Sequence, residues 1–259
     1  MTLALRSTPP ARRSAWLPAL AGLAIFVLAW KAIVVVLGYP TFVLPAPELV
    51  VGRLVSAWAD GTIPRHAAST LLEIGLGFGA GASSAVIVGY LLARSPLVEQ
   101  VISPYLVAAQ ATPILALAPL LALWFGPGLT SKVVICGLIV FFPVAIATMV
   151  GIRSVDARLL ELGRSLRATR RQILVTLEIP GALPSIFGGL RVGVTLAVVG
   201  AIVGEWAGAE RGLGVLVNLA RGSLFDTPLL FATLLTIALI GIGLYLIVVL
   251  IERALVGVR

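Results

Sequence analysis

The sequence predicts an all-α membrane protein that crosses the bilayer about six times. Of the 259 residues, 59% are hydrophobic and only 12% are charged, and the mean hydropathy is +1.10. Soluble domains carry roughly 25% charged residues, so a soluble globule of this composition would have too few polar side chains to cover its surface. Disordered chains contain far fewer apolar residues and are excluded as well.

The first two predicted spans are long apolar runs. The run from Ala15 to Leu37 is too long for a signal-peptide core and ends in no small-residue cleavage pattern, so we expect it to be retained as a span. The second span, about Ala67–Ala93, contains two overlapping GxxxG spacings, which favour close helix packing over a hinge. The glycines of these spacings are Gly75, Gly77, Gly79 and Gly81.

Four further spans complete the predicted set. The third, about Val98–Trp124, is interrupted by Pro104, Pro113 and Pro119. The remaining spans are about Ser131–Val150, Leu183–Trp206 and Pro228–Ile251.

The segments between the spans complete one transmembrane domain over residues 1–259. We expect outer loops at about 38–66 and 207–227, the second of them polar and rich in glycine. Within the first, the stretch from Pro47 to Trp58 is amphipathic and is expected to lie along the membrane interface. An inner loop is expected at about 151–182.

The basic residues give the chain an orientation. Its formal net charge of +8 comes from 19 Lys and Arg against 11 Asp and Glu. Twelve basic residues fall on the side of the termini, namely Arg6, Arg12, Arg13, Arg94, Arg153, Arg158, Arg164, Arg167, Arg170, Arg171, Arg253 and Arg259. Five fall on the other side, namely Arg53, Arg65, Lys132, Arg211 and Arg221. The positive-inside rule therefore predicts that both termini are cytoplasmic, facing anionic lipid, and nucleic acid is not expected as a partner.

The residue types that carry most enzyme chemistry are sparse. Cys136 and His66 are the only cysteine and histidine, so neither a disulfide framework nor a cysteine–histidine metal site is expected. No phosphate-binding loop of the GxxxxGK[ST] kind is present, since neither lysine follows a glycine. We therefore expect no catalytic residue, metal or other cofactor in this chain.

The arginine-rich segment from Gly151 to Pro180 predicts a docking element rather than a passive basic loop. Its pattern indicates a short helix that ends near Thr169 and a second that carries Ile173, Leu174 and Leu177, before Pro180 and Pro184 stop the chain and restart it as a span. Apolar residues on a short cytoplasmic helix are normally shielded from water, and a groove on a partner protein would shield them.

This segment resembles the cytoplasmic EAA loop of the permease subunits of bacterial binding-protein-dependent ABC importers. Glu161 matches the acidic residue of that motif, and Ala182-Leu183-Pro184 matches its closing residues. Two features depart from the family pattern, because Leu162-Gly163 replaces Ala-Ala and Arg167 stands where the family has the glycine that eases the turn between two short helices. The residues implied to couple to the ATPase are Glu161, Leu162, Gly163, Arg164, Ser165, Leu166, Arg167, Ala168 and Thr169.

The resemblance extends to most of the chain and to one branch of the family. Matching segments include Phe42–Pro47, Ala118–Gly126, Phe141–Pro143, Gly151–Asp156, Gly189–Arg191, Val203–Glu205 and Gly212–Gly214. This branch serves nitrate, taurine, aliphatic sulfonates and pyrimidine or riboflavin-type vitamin precursors. Thr70–Glu73 and Gln110–Pro113 are more similar to the vitamin-precursor members. The resemblance thus implies import of such a precursor, with nitrate, taurine or a sulfonate as the alternative.

The resemblance also implies a fold, partners and a mechanism. The fold is that of a type I ABC importer, located in the bacterial cytoplasmic membrane. Two permease copies, expected to be identical, are implied to work with two ATPase subunits that bind ATP and magnesium, and a periplasmic or lipid-anchored binding protein delivers the solute. Closure of the ATPases would move the spans between inward- and outward-open states.

Five polar residues in or near the spans are candidates for the solute pathway or its gate. Charged residues inside spans are costly and are functional hypotheses by default; these are Glu73, Glu205 and Arg191. Glu205 can alternatively contact the binding protein or reach the outer interface. Arg191 can serve helix packing or headgroup anchoring, and Glu73 can pair with Arg65 or Lys132. Gln110 and Thr112 precede Pro113 in a broken helix, where they contact either solute or neighbouring helices.

Other transporter and enzyme classes fit less well. A secondary transporter would need an ionic relay near the midplane and usually inverted repeats, and neither is evident in the sequence. Few basic residues lie within the spans, which favours a neutral or zwitterionic solute over an anion.

Overall fold

The computed structural model describes residues 16–257, which are almost entirely helical and contain no β-strand. The helices are α1 Trp16–Leu37, α2 Pro47–Ala59, α3 Thr62–Arg94, α4 Pro96–Ala111, α5 Ile114–Phe125, α6 Leu129–Arg153, α7 Ala157–Ser165, α8 Arg170–Ile173, α9 Ile179–Trp206, α10 Leu213–Arg221 and α11 Thr227–Val256. Ala15, where the first span was predicted to begin, and the terminal arginines Arg6, Arg12, Arg13 and Arg259 lie outside the described residues.

Five helices among the described residues are long and apolar enough to cross a membrane. They comprise most of α1, the whole of α3, α6 and α11, and the continuous helix Arg170–Trp206, which contains α8 and α9. The predicted third span is instead divided into α4 and α5. Thr112 between them is extended, with φ −78° and ψ 124°, because a residue before proline is disfavoured in the helical conformation.

The divided third span still runs along the length of α6. At one end, the carboxylate of Glu99 on α4 lies 2.6 Å from the guanidinium of Arg153 at the end of α6. At the other, Ala118 and Leu121 of α5 pack with Ile135 near the start of α6. The break falls at Pro113, whereas Pro104 and Pro119 lie inside their helices.

Helices α3, α6 and α9 pack closely through small residues. A Cβ atom added to Gly77 would lie 2.2 Å from the Cβ of Cys136, and one added to Gly81 would lie 2.5 Å from the carbonyl oxygen of Gly137. Gly75 and Gly79 have open space at the same position. The GxxxG prediction is therefore right for Gly77 and Gly81, and the other spacing faces away from α6.

The predicted outer loops contain two short helices, α2 and α10, with buried apolar faces. Within the loop predicted to be polar over residues 207–227, the structure thus has a helix with an apolar face. Buried residues of α10 recur at helical spacing, namely Leu213, Leu216, Val217 and Ala220. Leu213, Leu216 and Ala220 pack beside Val50 and Ala57 of α2 and Leu229 of α11. This apolar layer closes the end of the bundle that carries the two predicted outer loops, here called the outer end.

At the end of the bundle that carries the predicted inner loop, Pro180 and Pro184 neither stop nor restart the helix, in contrast to the prediction. A π-helical stretch, Leu174–Glu178, ends two residues before Pro180. A proline lacks the N–H that an α-helix needs, and a local change of hydrogen-bond register accommodates it. The helix therefore continues from the inner loop through to the outer end of α9.

Candidate functional site

The predicted coupling segment forms two helices joined by a tight turn. Helix α7 is capped by the carboxylate of Asp156, which accepts a hydrogen bond from the backbone N–H of Arg158 at 2.8 Å. It ends at Ser165, earlier than the predicted end at Thr169. Thr169 instead caps α8 in a reciprocal capping box with Gln172. The pattern Thr-x-x-Gln is typical of a helix N-terminus, so the end of α7 and the start of α8 could have been predicted from it.

The turn between α7 and α8 keeps its geometry without the family glycine. Arg167 adopts the left-handed conformation, with φ 57°. The backbone N–H of Ala168 donates to the carbonyl of Gly163 at 3.0 Å, and that of Arg167 donates to Arg164 at 2.9 Å. These two bonds define a Schellman motif, in which glycine usually holds the left-handed position. An arginine there costs about 1–2 kcal/mol of backbone energy relative to a right-handed conformation.

Helix α7 presents an apolar stripe away from the rest of the chain. The buried side of α7 is the one that carries Gly163, where an added Cβ would lie 3.2 Å from Leu177 and 3.5 Å from Ile173. Leu159, Leu162 and Leu166 are 48%, 56% and 74% exposed, and their spacing places them on one helix face. The apolar stripe of this amphipathic helix therefore stays largely uncovered by the other residues between 16 and 257.

A cavity of about 430 Å³ lies at the break between α4 and α5. Gln110, Thr112 and Pro113 form one wall, and Phe142 of α6 and Leu196 of α9 contribute to the others. Two of the predicted pathway residues, Gln110 and Thr112, are therefore neighbours. Both are exposed in the single chain. The hydroxyl of Thr112 donates to the carbonyl of Ala108 at 3.0 Å, so toward the mainly apolar cavity it can only accept a hydrogen bond, whereas the amide of Gln110 can donate and accept.

Two buried carboxylates lie near the outer end of the bundle. Glu73 pairs with Lys132, whose Nζ lies 2.9 Å from Oε1, with side chains only 1% and 8% exposed. This confirms one of the two partners predicted for Glu73. Glu205, 2% exposed, accepts hydrogen bonds from the hydroxyl of Thr70 at 2.5 Å and from the backbone N–H of Gly214.

The segment Gly212–Gly214 wraps around the Glu205 carboxylate. Gly212 has φ +137°, and an added Cβ would lie 2.1 Å from the carboxylate, so only glycine fits. The ring Nδ1 of His66 lies 2.7 Å from the carbonyl oxygen of Gly212, and Thr70 accepts a bond from the N–H of Leu213 at 2.8 Å. Sequence reasoning missed Thr70 and His66 as members of this network, because each is chemically ordinary until α10 folds back on α3.

A second cavity, of about 570 Å³, adjoins the Glu73–Lys132 pair. It is bordered by Glu210 and Arg211 of the segment before α10, and by the turn at Pro127 and Gly128. Its walls are charged, unlike those of the cavity at Gln110. The outer end of the bundle therefore combines a buried ion pair with an open polar mouth.

Arg191 is separate from these sites. Its guanidinium lies 3.4 Å from the carboxylate of Glu252, and with Thr195 and Tyr245 it lines a small cavity of about 270 Å³ between α9 and α11. The predicted pathway residues thus fall into three places: Gln110 and Thr112 at the helix break, Glu73 and Glu205 at the outer end, and Arg191 between α9 and α11 near Glu252.

The family model described as "Binding-protein-dependent transport system inner membrane component" matches residues 85–257. The chain belongs to this family. The family consists of transporter permease subunits, which are not themselves catalytic, and the permease is accordingly a multi-pass protein of the inner membrane. Its matched region begins within α3 and includes the coupling segment and Glu205 with Gly212–Gly214, whereas His66 and Thr70 precede it.

Similar proteins support this assignment. The permease is 46% identical to the riboflavin transport system permease protein RibX of Chloroflexus aurantiacus, over 90% of this chain and 87% of that protein. It is 35% identical to the formylaminopyrimidine transport permease protein ThiX of Halalkalibacterium halodurans, over 84% and 86%. It also matches a chain of the inward-facing MetNI methionine ABC transporter, with a TM-score of 0.65 and 19% identity, over 72% of this chain and 93% of that chain. The latter likeness shows a shared fold and confirms the predicted importer architecture.

Proposed function

We propose that the permease forms the transmembrane path of an ATP-driven importer for a neutral, vitamin-like or vitamin-precursor solute. The observation that carries this proposal is the cavity at the break between α4 and α5. Its walls offer the amide of Gln110 and the hydroxyl of Thr112 beside the ring of Phe142, and no ionisable side chain is among its lining residues. Such a lining suits an uncharged heteroaromatic solute better than an anion.

The inference about the solute class also draws on the relatives. The two curated relatives described above are named for riboflavin and for a formylaminopyrimidine. Both are flat heteroaromatic compounds with several hydrogen-bonding groups. An amide side chain pairs with such groups, and an aromatic ring stacks on their faces. A taurine or sulfonate solute would instead gain from a basic group in the path.

A second copy of the permease is the expected partner for the open side of this cavity. Gln110 and Thr112 are exposed in the single chain, although polar side chains at mid-membrane depth need protein or water around them. In a homodimer, two facing copies would enclose the path. The solute would enter it from a binding protein on the outer side.

The apolar stripe of α7 supports docking to an ATPase. Burying a leucine side chain completely contributes about 1.5–3 kcal/mol, so covering Leu159, Leu162 and Leu166 supplies a large part of a stable contact. The ATPase partner binds the ATP and magnesium in this proposal, and the permease binds neither. This arrangement puts α7 and both termini in the cytoplasm, as the basic residues predict.

The proposal is tested with the permease, its ATPase and its binding protein reconstituted in proteoliposomes. Uptake of labelled riboflavin, formylaminopyrimidine and taurine is measured against solute-stimulated ATP hydrolysis. We expect uptake of a heteroaromatic solute, and we expect Q110A/T112A to lower it roughly tenfold or more, because a lost hydrogen bond costs about 1–2 kcal/mol at each site.

The matched control is Q100A, an exposed glutamine on the same helix and away from the cavity. It should leave uptake unchanged. Preferential uptake of taurine would refute the solute class, and equal loss in Q100A and Q110A/T112A would refute the assignment of the path.

A further inference from the structure

A third large cavity lies at the cytoplasmic end of the bundle. It has a volume of about 650 Å³ and lies between the last turns of α3, the coupling helix α7 and the start of α8. Its lining residues are Tyr90, Arg94, Arg164, Ala168, Arg170, Ile173 and Glu178. The import function proposed above makes no use of this cavity.

The cavity carries an excess of positive charge. Arg94 is already engaged, because its Nη2 lies 2.6 Å from the carboxylate of Glu178 and its guanidinium lies over the ring of Tyr90, 5.3 Å from the centroid. Arg164 and Arg170 form no ion pair with any acidic side chain in the region from residue 16 to residue 257. Three guanidinium groups thus face one carboxylate.

The position of the cavity relates it to the membrane surface. Tyr90 and Arg94 belong to the last turns of a membrane-spanning helix, where tyrosine and arginine commonly lie at the level of the lipid headgroups. Ile173, at the start of the long helix, is buried and adds an apolar floor. The arginines therefore lie where headgroup phosphates of the inner leaflet can reach them.

We infer that this cavity binds the phosphate of an anionic phospholipid from the cytoplasmic leaflet. Guanidinium groups bind phosphate oxygens through paired hydrogen bonds, and basic pockets between helices on the cytoplasmic side suit acidic headgroups. A lipid phosphate is favoured over a soluble one because the apolar floor and the adjoining bilayer can also hold the glycerol and acyl portions.

The bound lipid would link α7 to the bundle. Arg164 lies on α7, Arg170 begins α8 and Arg94 ends α3, so one phosphate bridges three elements. Apart from the contact of Gly163 with Ile173 and Leu177, α7 packs little against the rest of the chain. Anionic lipid should therefore fix the position of the coupling helix.

The test is a thermal-stability titration of the purified permease–ATPase complex in neutral detergent, with cardiolipin, phosphatidylcholine or inorganic phosphate added. We expect cardiolipin alone to stabilise the wild type, and R164Q/R170Q to lower its apparent affinity about 30-fold, since each basic residue near a membrane surface contributes about 1 kcal/mol. The matched control R158Q/R171Q removes the same charge outside the cavity and should keep the wild-type response.

Each other outcome of the titration has a defined meaning. R164K/R170K should show an intermediate affinity, and it replaces the glutamine variant if that variant fails to elute as an intact complex. Equal stabilisation by inorganic phosphate would overturn the lipid as the source of the anion. Loss of ATPase binding in R164Q/R170Q with an unchanged cardiolipin response would overturn the proposal in favour of an acidic side chain of the ATPase.

Discussion

Replacing Gly77 by alanine should force α3 and α6 apart. The new Cβ would lie 2.2 Å from the Cβ of Cys136, whereas ordinary van der Waals contact begins at 3.4 Å, so the two helices would have to separate by about 1.2 Å. Overpacking of this kind costs about 1–3 kcal/mol. At roughly 2–4 °C per kcal/mol for a chain of this size, the melting temperature of the purified permease should fall by roughly 2–12 °C.

Two variants decide whether this close approach is the cause. G79A changes a glycine on the same helix that faces open space, and it should be neutral or slightly stabilising because alanine favours helix. C136G removes the clashing atom, so it should destabilise the wild type by leaving a void but stabilise G77A. If G77A and G79A melt at the same temperature, or if C136G lowers the stability of G77A further, the packing described for these helices is wrong.

Three further predictions concern other parts of the chain. K132M should destabilise the permease by about 3–5 kcal/mol in thermal or denaturant unfolding, because it leaves the Glu73 carboxylate buried without its partner, and E73Q/K132M should regain most of this loss; equal stability of the two variants would contradict the ion pair. L166E should weaken ATPase binding by roughly tenfold or more in a pull-down titration, since it places a charge in the apolar stripe of α7, while L166M should bind like the wild type. G212A should melt lower than G208A, although both glycines have φ +137°, because only the Cβ at Gly212 meets the Glu205 carboxylate; equal melting would show that backbone strain alone matters.

The sequence predicted the long helices because their hydrophobic runs have one dominant requirement, which is to span a bilayer. It also predicted interruptions at three prolines of the third span, of which only Pro113 breaks the helix, because proline disfavours but does not forbid a helical residue before it. The sequence could not show which GxxxG spacing contacts α6. Gly75 and Gly77 both lie among apolar residues, and they differ only in the direction in which they face once α3 is packed. Helix α10 was not predicted because its apolar stripe is short and is flanked by glycines and charged residues.

The parts of the candidate site that consist of a continuous sequence motif were predictable. The parts that consist of residues brought together by the fold were not. Glu161–Thr169 carried a recognisable pattern, and the turn formed at Arg167 although the expected glycine is absent. In contrast, Glu205 was predicted only as a charged residue within a span, and its partners are a hydroxyl on α3 and a backbone N–H on α10. A hydrogen bond across 135 residues of chain, as from Thr70, leaves no local signal.

The continuous helix Arg170–Trp206 connects the two ends of the permease physically. Its 37 residues extend about 55 Å at 1.5 Å per residue, which exceeds the thickness of the hydrocarbon core. One end begins at the Thr169 cap beside α7, and the other carries Glu205 within the outer network. A displacement of α7 is either absorbed at the Arg167 turn or in the π-helical stretch Leu174–Glu178, or it is transmitted along α9. The contacts of Gly189, Gly193 and Gly200 with α6 oppose unpacking of α9, so a displacement that passes the π-helical stretch moves the outer network.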